Sequence, residues 1–196
     1  MGTGRWAIHR FFPELYQIPY HLTPTTYHLV LMNPVEIYIK FPTPFMIDNW
    51  ERLLPDWKVP PQTIALVLLN SQFPLDSEGE FVEQEKDRLL QQFFALGEAF
   101  NLVSHQWGFL TEMISPKDGM PQYSTKGKLI FDLVATVHHL LGFKFSRTVK
   151  GCQVLKHPAW QTAVYPGLLL SVATVPEVQS ILSDKTHLVS EFQVIM

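Results

Sequence analysis

The chain has 196 residues, of which 46% are hydrophobic and 17% charged, and its formal net charge is −3. This composition is typical of a globular domain and argues against a dedicated nucleic-acid-binding protein, which needs local excess of positive charge. The single cysteine, Cys152, excludes an internal disulfide and a multi-cysteine zinc site, and it suits a reducing compartment, so we predict a cytoplasmic location. No membrane span is predicted, because no window approaches the length of apolar sequence that a spanning helix requires.

The first 31 residues differ from the rest of the chain. Aromatic residues there alternate with Pro13, Pro19 and Pro24, and prolines at this spacing predict an extended arm rather than a helix. Three interpretations of this arm are open. It packs across the domain's own surface, it reaches into a partner, or Met32 is the natural start of the protein. We therefore divide the chain into an N-terminal arm, 1–31, and a single domain, 32–196.

The domain begins with a predicted strand–helix–strand unit. Residues 35–41 have the composition of a strand, and Thr43 is a suitable N-cap for a helix over 44–54 that opens on a proline. The run 63–69 is apolar at consecutive positions, which predicts a strand in the middle of a sheet covered on both faces.

A long amphipathic helix is predicted over 77–103, because apolar residues recur there at steps of three and four. Ser77 and Glu80 have the spacing of a capping box at its start.

The middle of the domain is predicted to contain a turn, a helix and a short strand. Proline followed by Asp-Gly within 115–119 predicts a hairpin or loop. Helical spacing predicts a helix over 126–141, with Gly142 as its C-cap. Alternation of aromatic and polar residues over 143–146 predicts a strand with one buried face, followed by a loop.

A second strand–helix–strand unit closes the chain. It comprises an apolar strand at 168–172, a helix over 176–184 with its proline in the first turn, and a final apolar run. We expect both units to join one mixed or antiparallel sheet with helices packed on it. The predicted fold is therefore α+β, in a ferredoxin-like or related split β-α-β arrangement.

The chain contains none of the phosphate-binding, dinucleotide, nucleophile-elbow or metal-helix motifs. Whether it is an enzyme is therefore uncertain, a non-catalytic role is favoured, and no cofactor or metal is predicted. His138 and His139 diverge by about 100° on a helix and cannot both ligate one metal. Either could be an axial ligand to a tetrapyrrole, or both could simply be solvated or hydrogen-bonded.

Cys152 and His157 form a second candidate site. Lys150, Lys156 and His157 supply positive charge close in sequence, and positive charge stabilises a thiolate. The thiolate would act as a nucleophile or an attachment point. The alternative is an inert loop cysteine.

Basic residues cluster in the second half of the domain, where they outnumber acidic ones, whereas residues 76–87 are mainly acidic. Such a basic face, interleaved with aromatic rings, would accept phosphates or an acidic partner, or would only solubilise the chain. The basic residues are Lys117, Lys126, Lys128, Lys144, Arg147, Lys150 and Lys156.

The favoured function is a non-catalytic protein-interaction module, such as an assembly factor, adaptor or regulatory subunit. The partner is another protein with an acidic surface, bound by aromatic anchors in the arm and by steering cations in the domain. The first alternative is a protein or enzyme for a tetrapyrrole-like or other anionic small molecule at His138, His139, Cys152 and His157. The second is an RNA-binding module, although nucleic acid is an unlikely partner at this net charge. The proposed partner-binding residues are Trp6, Phe11, Phe12, Tyr16, Lys144, Arg147 and Lys150.

Overall fold

The computed structural model describes residues 34–148 and 151–183, together with the backbone of 193–195. The helices in this part of the chain are α1 (Pro44–Leu53), α2 (Glu80–Gln106), α3 (Leu133–Leu141) and α4 (Val175–Ser183). The strands are β1 (Val35–Lys40), β2 (Thr63–Asn70), β3 (Thr111–Ile114), β4 (Lys144–Arg147), β5 (Gln153–Lys156), β6 (Val164–Ser171) and β7 (Gln193–Ile195). None of these helices has the length and hydropathy needed to cross a membrane.

Five strands form one mixed sheet in the order β3-β6-β2-β1-β7. Its neighbours are antiparallel, except that β7 runs parallel to β1. The predicted α+β class is confirmed, and both end units contribute to this sheet as expected. The first unit folds back so that β1 and β2 are antiparallel neighbours. The second is a split β-α-β unit, because β2 and β1 lie between its strands β6 and β7.

Each face of the sheet is covered. Alternate residues of β1, β2 and β6 pack against α2 and α4 in one hydrophobic cluster that includes Ile37, Val67, Phe93 and Leu169. The other face packs against α1, α3 and β5 in a second cluster. Strand β2 lies in the middle of the sheet and is buried at every position but its last, as its apolar sequence predicts.

Helix α1 agrees closely with its prediction. The Thr43 hydroxyl accepts a hydrogen bond from the N–H of Met46 at 3.3 Å, so Thr43 is the N-cap. The helix ends at Leu53, before Pro55, a residue type that disfavours helical geometry in its predecessor.

Helix α2 begins three residues later than predicted, at Glu80, and the predicted capping box is wrong. Gly79 is the N-cap and makes no side-chain cap hydrogen bond. The Ser77 hydroxyl instead donates to the carbonyl of Pro74 at 3.0 Å. Since Gly79 has φ +144°, the chain turns sharply between Ser77 and the helix, and the reciprocal bonds of a capping box cannot form.

Helix α3 is shorter than predicted and begins at Leu133, with Asp132 as its N-cap. The preceding residues make tertiary hydrogen bonds instead: Leu129 N–H donates to the carbonyl of Arg52, and Phe131 N–H donates to that of Gly119. These bonds use the donors that a longer helix would need. The predicted C-cap is confirmed, because Gly142 is left-handed with φ +71°.

Strand β6 begins at Val164, four residues before its prediction. Ser71 N–H donates to the carbonyl of Ala163, so the backbone N–H and C=O groups of the odd-numbered residues of β6 point toward β2. The backbone of Pro166, an even-numbered residue, therefore points toward the opposite edge of the strand. Strand β3 pairs only with 168–171 on that edge. The missing N–H of Pro166 therefore breaks no ladder bond, and the strand continues through the proline.

The strand predicted at 143–146 is displaced by one residue and pairs with β5, which the sequence did not indicate. These two strands form a separate antiparallel hairpin that packs beside α3. The expected buried face of β4 is wrong, because its residues are exposed or only partly buried. The predicted turn at 115–119 is present, with Gly119 N–H bonded to the carbonyl of Ser115 and an antiparallel bridge between Ile114 and Pro121.

Candidate functional site

The β4–β5 hairpin carries three of the candidate residues, Lys144, Arg147 and Cys152. Lys144 pairs with Lys156, and the register continues to residues 148 and 152, where Thr148 N–H donates to the carbonyl of Cys152 at 2.9 Å. The even-numbered residues of the two strands are therefore the hydrogen-bonded pairs. Because side chains alternate along each strand and paired residues lie on the same side, the side chains of all even-numbered residues share one face of the hairpin. We call this the even face. Its members are Lys144, Ser146, Thr148, Cys152, Val154 and Lys156.

Cys152 lies at the tip of the hairpin and its thiol is exposed. Its N–H donates to the Thr148 hydroxyl at 3.2 Å, which fixes the backbone that carries the thiol. Gly151 just before it has φ +84°, a left-handed conformation that favours glycine at this turn.

A cavity of about 520 Å³ lies beside the hairpin tip. Thr148 and the segment from Cys152 to Leu155 line one side of it, so residues of both hairpin faces contribute to that wall. The acidic start of α2 lines another side with Glu83, which is paired with Lys86 at 2.7 Å. Of the basic residues noted in the second half of the domain, Lys117 lines this cavity, whereas Lys144, Arg147 and Lys156 do not.

His157 is buried and engaged on both ring nitrogens. Its Nδ1 accepts hydrogen bonds from the N–H groups of Ala159 (3.2 Å) and Trp160 (3.1 Å), so Nδ1 carries no hydrogen. Its Nε2 therefore donates to Glu36 Oε2 at 3.0 Å, and the ring stacks on Trp160 with centroids 4.0 Å apart. This histidine ties the turn after β5 to strand β1.

The same carboxylate oxygen of Glu36 accepts a hydrogen bond from the Tyr38 hydroxyl at 2.6 Å. Burial raises the pKa of Tyr38 above its usual value, and the bond to Glu36 raises it further. This Glu36–Tyr38–His157 cluster is not among the sites predicted from the sequence. The available signal was the pair of polar residues at alternate positions of β1, which places both on one face of the strand.

The structure separates Cys152 from the candidate histidines. Cys152 and His157 are five residues apart along an extended strand, which spans roughly 17 Å. His138 Nδ1 lies 2.7 Å from the carbonyl of Phe143, and its ring meets Phe145 edge-on. His139 is exposed on α3 and lines a separate, mainly apolar pocket of about 270 Å³. Cys152 and the three histidines thus do not converge on one point.

The proposed steering cations Lys144 and Arg147 are exposed on β4 but face opposite sides of the hairpin. Among residues 34–148 and 151–183, neither is paired with a carboxylate. The remaining partner-binding candidates lie outside the described residues. These are Trp6, Phe11, Phe12, Tyr16 and Lys150.

Residues 25–183 match the model of one protein family, described as MMADHC: Methylmalonic aciduria and homocystinuria type D protein. The match covers most of the chain, including every described residue except the backbone of β7. A search of curated proteins finds no match.

Proposed function

The chain belongs to the methylmalonic aciduria and homocystinuria type D protein family, and from this membership we propose that it is a non-catalytic interaction module in cobalamin handling. Membership of this family supports a role in the trafficking or processing of cobalamin. We infer that it binds cobalamin or a cobalamin-carrying partner.

Cys152 is the observation that carries the proposal. Cobalamin would bring a cobalt ion to the site, and a thiolate sulfur is a soft ligand that could hold it. Cys152 offers an exposed thiol beside strand β5 and lines a cavity of about 520 Å³. Cys152 would hold the group through its sulfur as a thiolate, with the thiol proton passing to solvent.

The tetrapyrrole-like alternative from the sequence therefore becomes part of the same proposal, with the thiol rather than an imidazole as the ligand. His157 is a poor candidate for the cobalt because both of its ring nitrogens are engaged. His138 has one nitrogen at the carbonyl of Phe143. Neither histidine faces the cavity beside Cys152.

A protein partner is the second part of the proposal. Lys144 and Arg147 are exposed cations without a carboxylate partner in the described part of the chain, and exposed cations of this kind attract an acidic surface. The arm, with Trp6, Phe11 and Phe12, would then supply the aromatic anchors. We place the protein in the cytoplasm, where a free thiol stays reduced.

A spectroscopic titration tests the proposal. Aquocobalamin mixed with the wild-type protein should show the absorbance change of cobalt–thiolate ligation, and Cys152→Ser should abolish it. His138→Ala and His139→Ala are the matched controls and should leave the change intact, because neither removes a ligand. A change that persists in Cys152→Ser, or is absent from the wild type, would overturn the assignment of Cys152.

A further inference from the structure

The pocket of about 270 Å³ that His139 lines is formed between the start of α1 and one side of α3. Residues 43–46, the N-cap and first turn of α1, form one wall. The residues from α3 and its N-cap are spaced by three and four, so they share one side of that helix over two turns, roughly 10 Å. They are Asp132, Ala135, Thr136 and His139, and Phe131 completes the lining.

The apolar part of this lining suits an aromatic ring. Phe45 and Phe131 offer ring surfaces, with which another ring packs in stacked or edge-on arrangements. The thioether of Met46 also makes favourable contacts with rings. Met46 and Phe131 are buried, whereas Phe45 is 53% exposed, so an occupant would remove apolar surface from water.

The size of the pocket limits the occupant to a small molecule. An apolar cavity of roughly 150 Å³ holds benzene. A pocket of about 270 Å³ therefore has room for one substituted ring or two fused rings.

Most polar side chains of the lining are already bonded within the protein. The Thr43 hydroxyl accepts from Met46 N–H at 3.3 Å. The Thr136 hydroxyl donates to the carbonyl of Asp132 at 2.7 Å, and Asp132 Oδ1 accepts from Ala135 N–H at 2.9 Å. A ring that covers these groups leaves none of them without a partner, so the usual cost of covering polar atoms does not arise.

Two polar groups of the lining are still available for a ligand. Within residues 34–148 and 151–183, neither Asp132 Oδ2 nor the His139 ring has a hydrogen-bond partner. An ionised carboxylate can only accept hydrogen bonds, and bonds to a charged acceptor are the stronger ones. Asp132 therefore suits an occupant that has an N–H or O–H group at the edge of its ring.

We propose that this pocket binds a small aromatic molecule of the indole or phenol class. Its ring lies against Phe45, Met46 and Phe131, and its N–H or O–H donates to Asp132. Of the described residues, only Phe131 and Asp132 line both this pocket and the cavity beside Cys152. The inference does not depend on cobalamin binding and goes beyond the proposed function.

Titration of the full-length protein, followed in two-dimensional amide NMR spectra, tests the proposal. Indole and para-cresol should shift the signals of residues 43–46 and 131–139. N-methylindole and toluene keep the ring but lack the donor, so they should bind about tenfold more weakly. Cyclohexanol has the donor without an aromatic ring and should also bind more weakly than para-cresol.

Three variants locate the site. Ala135 is exposed on α3, so Ala135→Phe should fill the pocket without disturbing the core and should abolish the shifts caused by indole. Ala95→Phe, at an exposed position of α2 that does not line the pocket, is the matched control and should leave them unchanged. Asp132→Asn keeps an equally good N-cap but removes the charge, so it should narrow the difference between indole and N-methylindole.

Four outcomes would overturn the inference. The first is that no probe shifts these signals, and the second is that binding persists in Ala135→Phe, which would place the site elsewhere. Equal affinities for para-cresol and cyclohexanol would show a merely apolar surface. Shifts caused by tryptophan-containing peptides but not by free indole would assign the pocket to a protein partner. Thermal unfolding checks that each variant is folded, and the signals shifted in the wild type locate the site without any variant.

Discussion

Two buried glutamates each organise a loop through their carboxylates. Glu112 is 1% exposed and accepts hydrogen bonds from the N–H groups of Met113, Gln122, Tyr123 and Ser124 at 2.8–2.9 Å. Each bond satisfies a backbone donor, and together they compensate the desolvation of the carboxylate. The segment after the 115–119 turn is therefore held to β3 by this side chain in addition to the backbone bridge between Ile114 and Pro121.

Glu85 has the corresponding role at the start of α2. Its carboxylate accepts from Gln72 N–H at 2.8 Å and from Arg88 at 2.7 and 2.9 Å. Although burial acts to raise the pKa of Glu85, the bonds from Arg88, Gln72 and Ser71 lower it below its usual value. The carboxylate is thus more acidic in the folded state than in the unfolded chain.

Replacing Glu85 by Gln should destabilise the fold at pH 7 by about 1–3 kcal/mol, because a charge-assisted bond to Arg88 is lost in a buried site. Since the folded pKa lies below the unfolded value of about 4.3, the stabilisation is fully present above that value and disappears as the pH falls through the folded pKa. Denaturant unfolding of wild type and variant should therefore show a free-energy difference that shrinks below about pH 5.

The exposed pair on the same helix provides the control. Glu83 bonds to Lys86 at 2.7 Å but is 67% exposed, so Glu83→Gln should change the free energy of unfolding by less than about 1 kcal/mol. Equal effects of the two substitutions would contradict the role assigned to burial at Glu85.

At the scale of elements, α2 approaches the sheet through two glycines. A Cβ atom at Gly167 on β6 would collide with the ring of Phe93, which is fully buried on α2. A Cβ atom at Gly97 on α2 would collide with the sulfur of Met113 on β3. The obstacle at Gly167 is a rigid ring in a packed core, whereas the obstacle at Gly97 is the end of a flexible side chain.

We therefore expect Gly167→Ala to destabilise the fold by about 1–3 kcal/mol through overpacking. Gly97→Ala should be close to neutral, because Met113 can move aside and alanine gains roughly 1 kcal/mol over glycine in a helix interior. Denaturant midpoints of the two variants, measured side by side, check the difference. The prediction fails if Gly97→Ala proves the more damaging of the two.

For the whole molecule, the division into an arm, 1–31, and a domain, 32–196, remains a proposal, since the arm lies outside the described residues. Both faces of the central sheet are covered by elements from residue 35 onward. Within the domain, side-chain hydrogen bonds join elements that are far apart in the sequence. One example is the bond between Glu36 and His157, which are 121 residues apart.

Deleting residues 1–31 should abolish capture of the partner and leave the melting temperature nearly unchanged. Pull-down from the native host, with the full chain and the 32–196 chain compared, measures the first, and thermal unfolding measures the second. Alanine at Trp6, Phe11, Phe12 and Tyr16 with the arm retained should reproduce the loss of capture. A large fall in melting temperature on deletion would instead show that the arm belongs to the core.

The sequence by itself determined those features in which the interacting residues are close neighbours along the chain, such as the ends of helices. Thr43 and Gly142 mark helix ends because a side-chain oxygen or a left-handed glycine satisfies the backbone on its own. The continuous apolar run of β2 determined its central position, because only a strand covered on both faces can bury it.

Only the tertiary structure decided those features in which hydrogen bonds between distant residues override the structure that the local sequence pattern predicts. The bonds from Leu129 to Arg52 and from Phe131 to Gly119 shorten α3, although the helical spacing continues before it. The extended geometry of β5 separates Cys152 from His157, which their closeness in sequence did not suggest. The pairing of Lys144 with Lys156 depends on the register of two strands, and a sequence shows the charges but not which of them face each other.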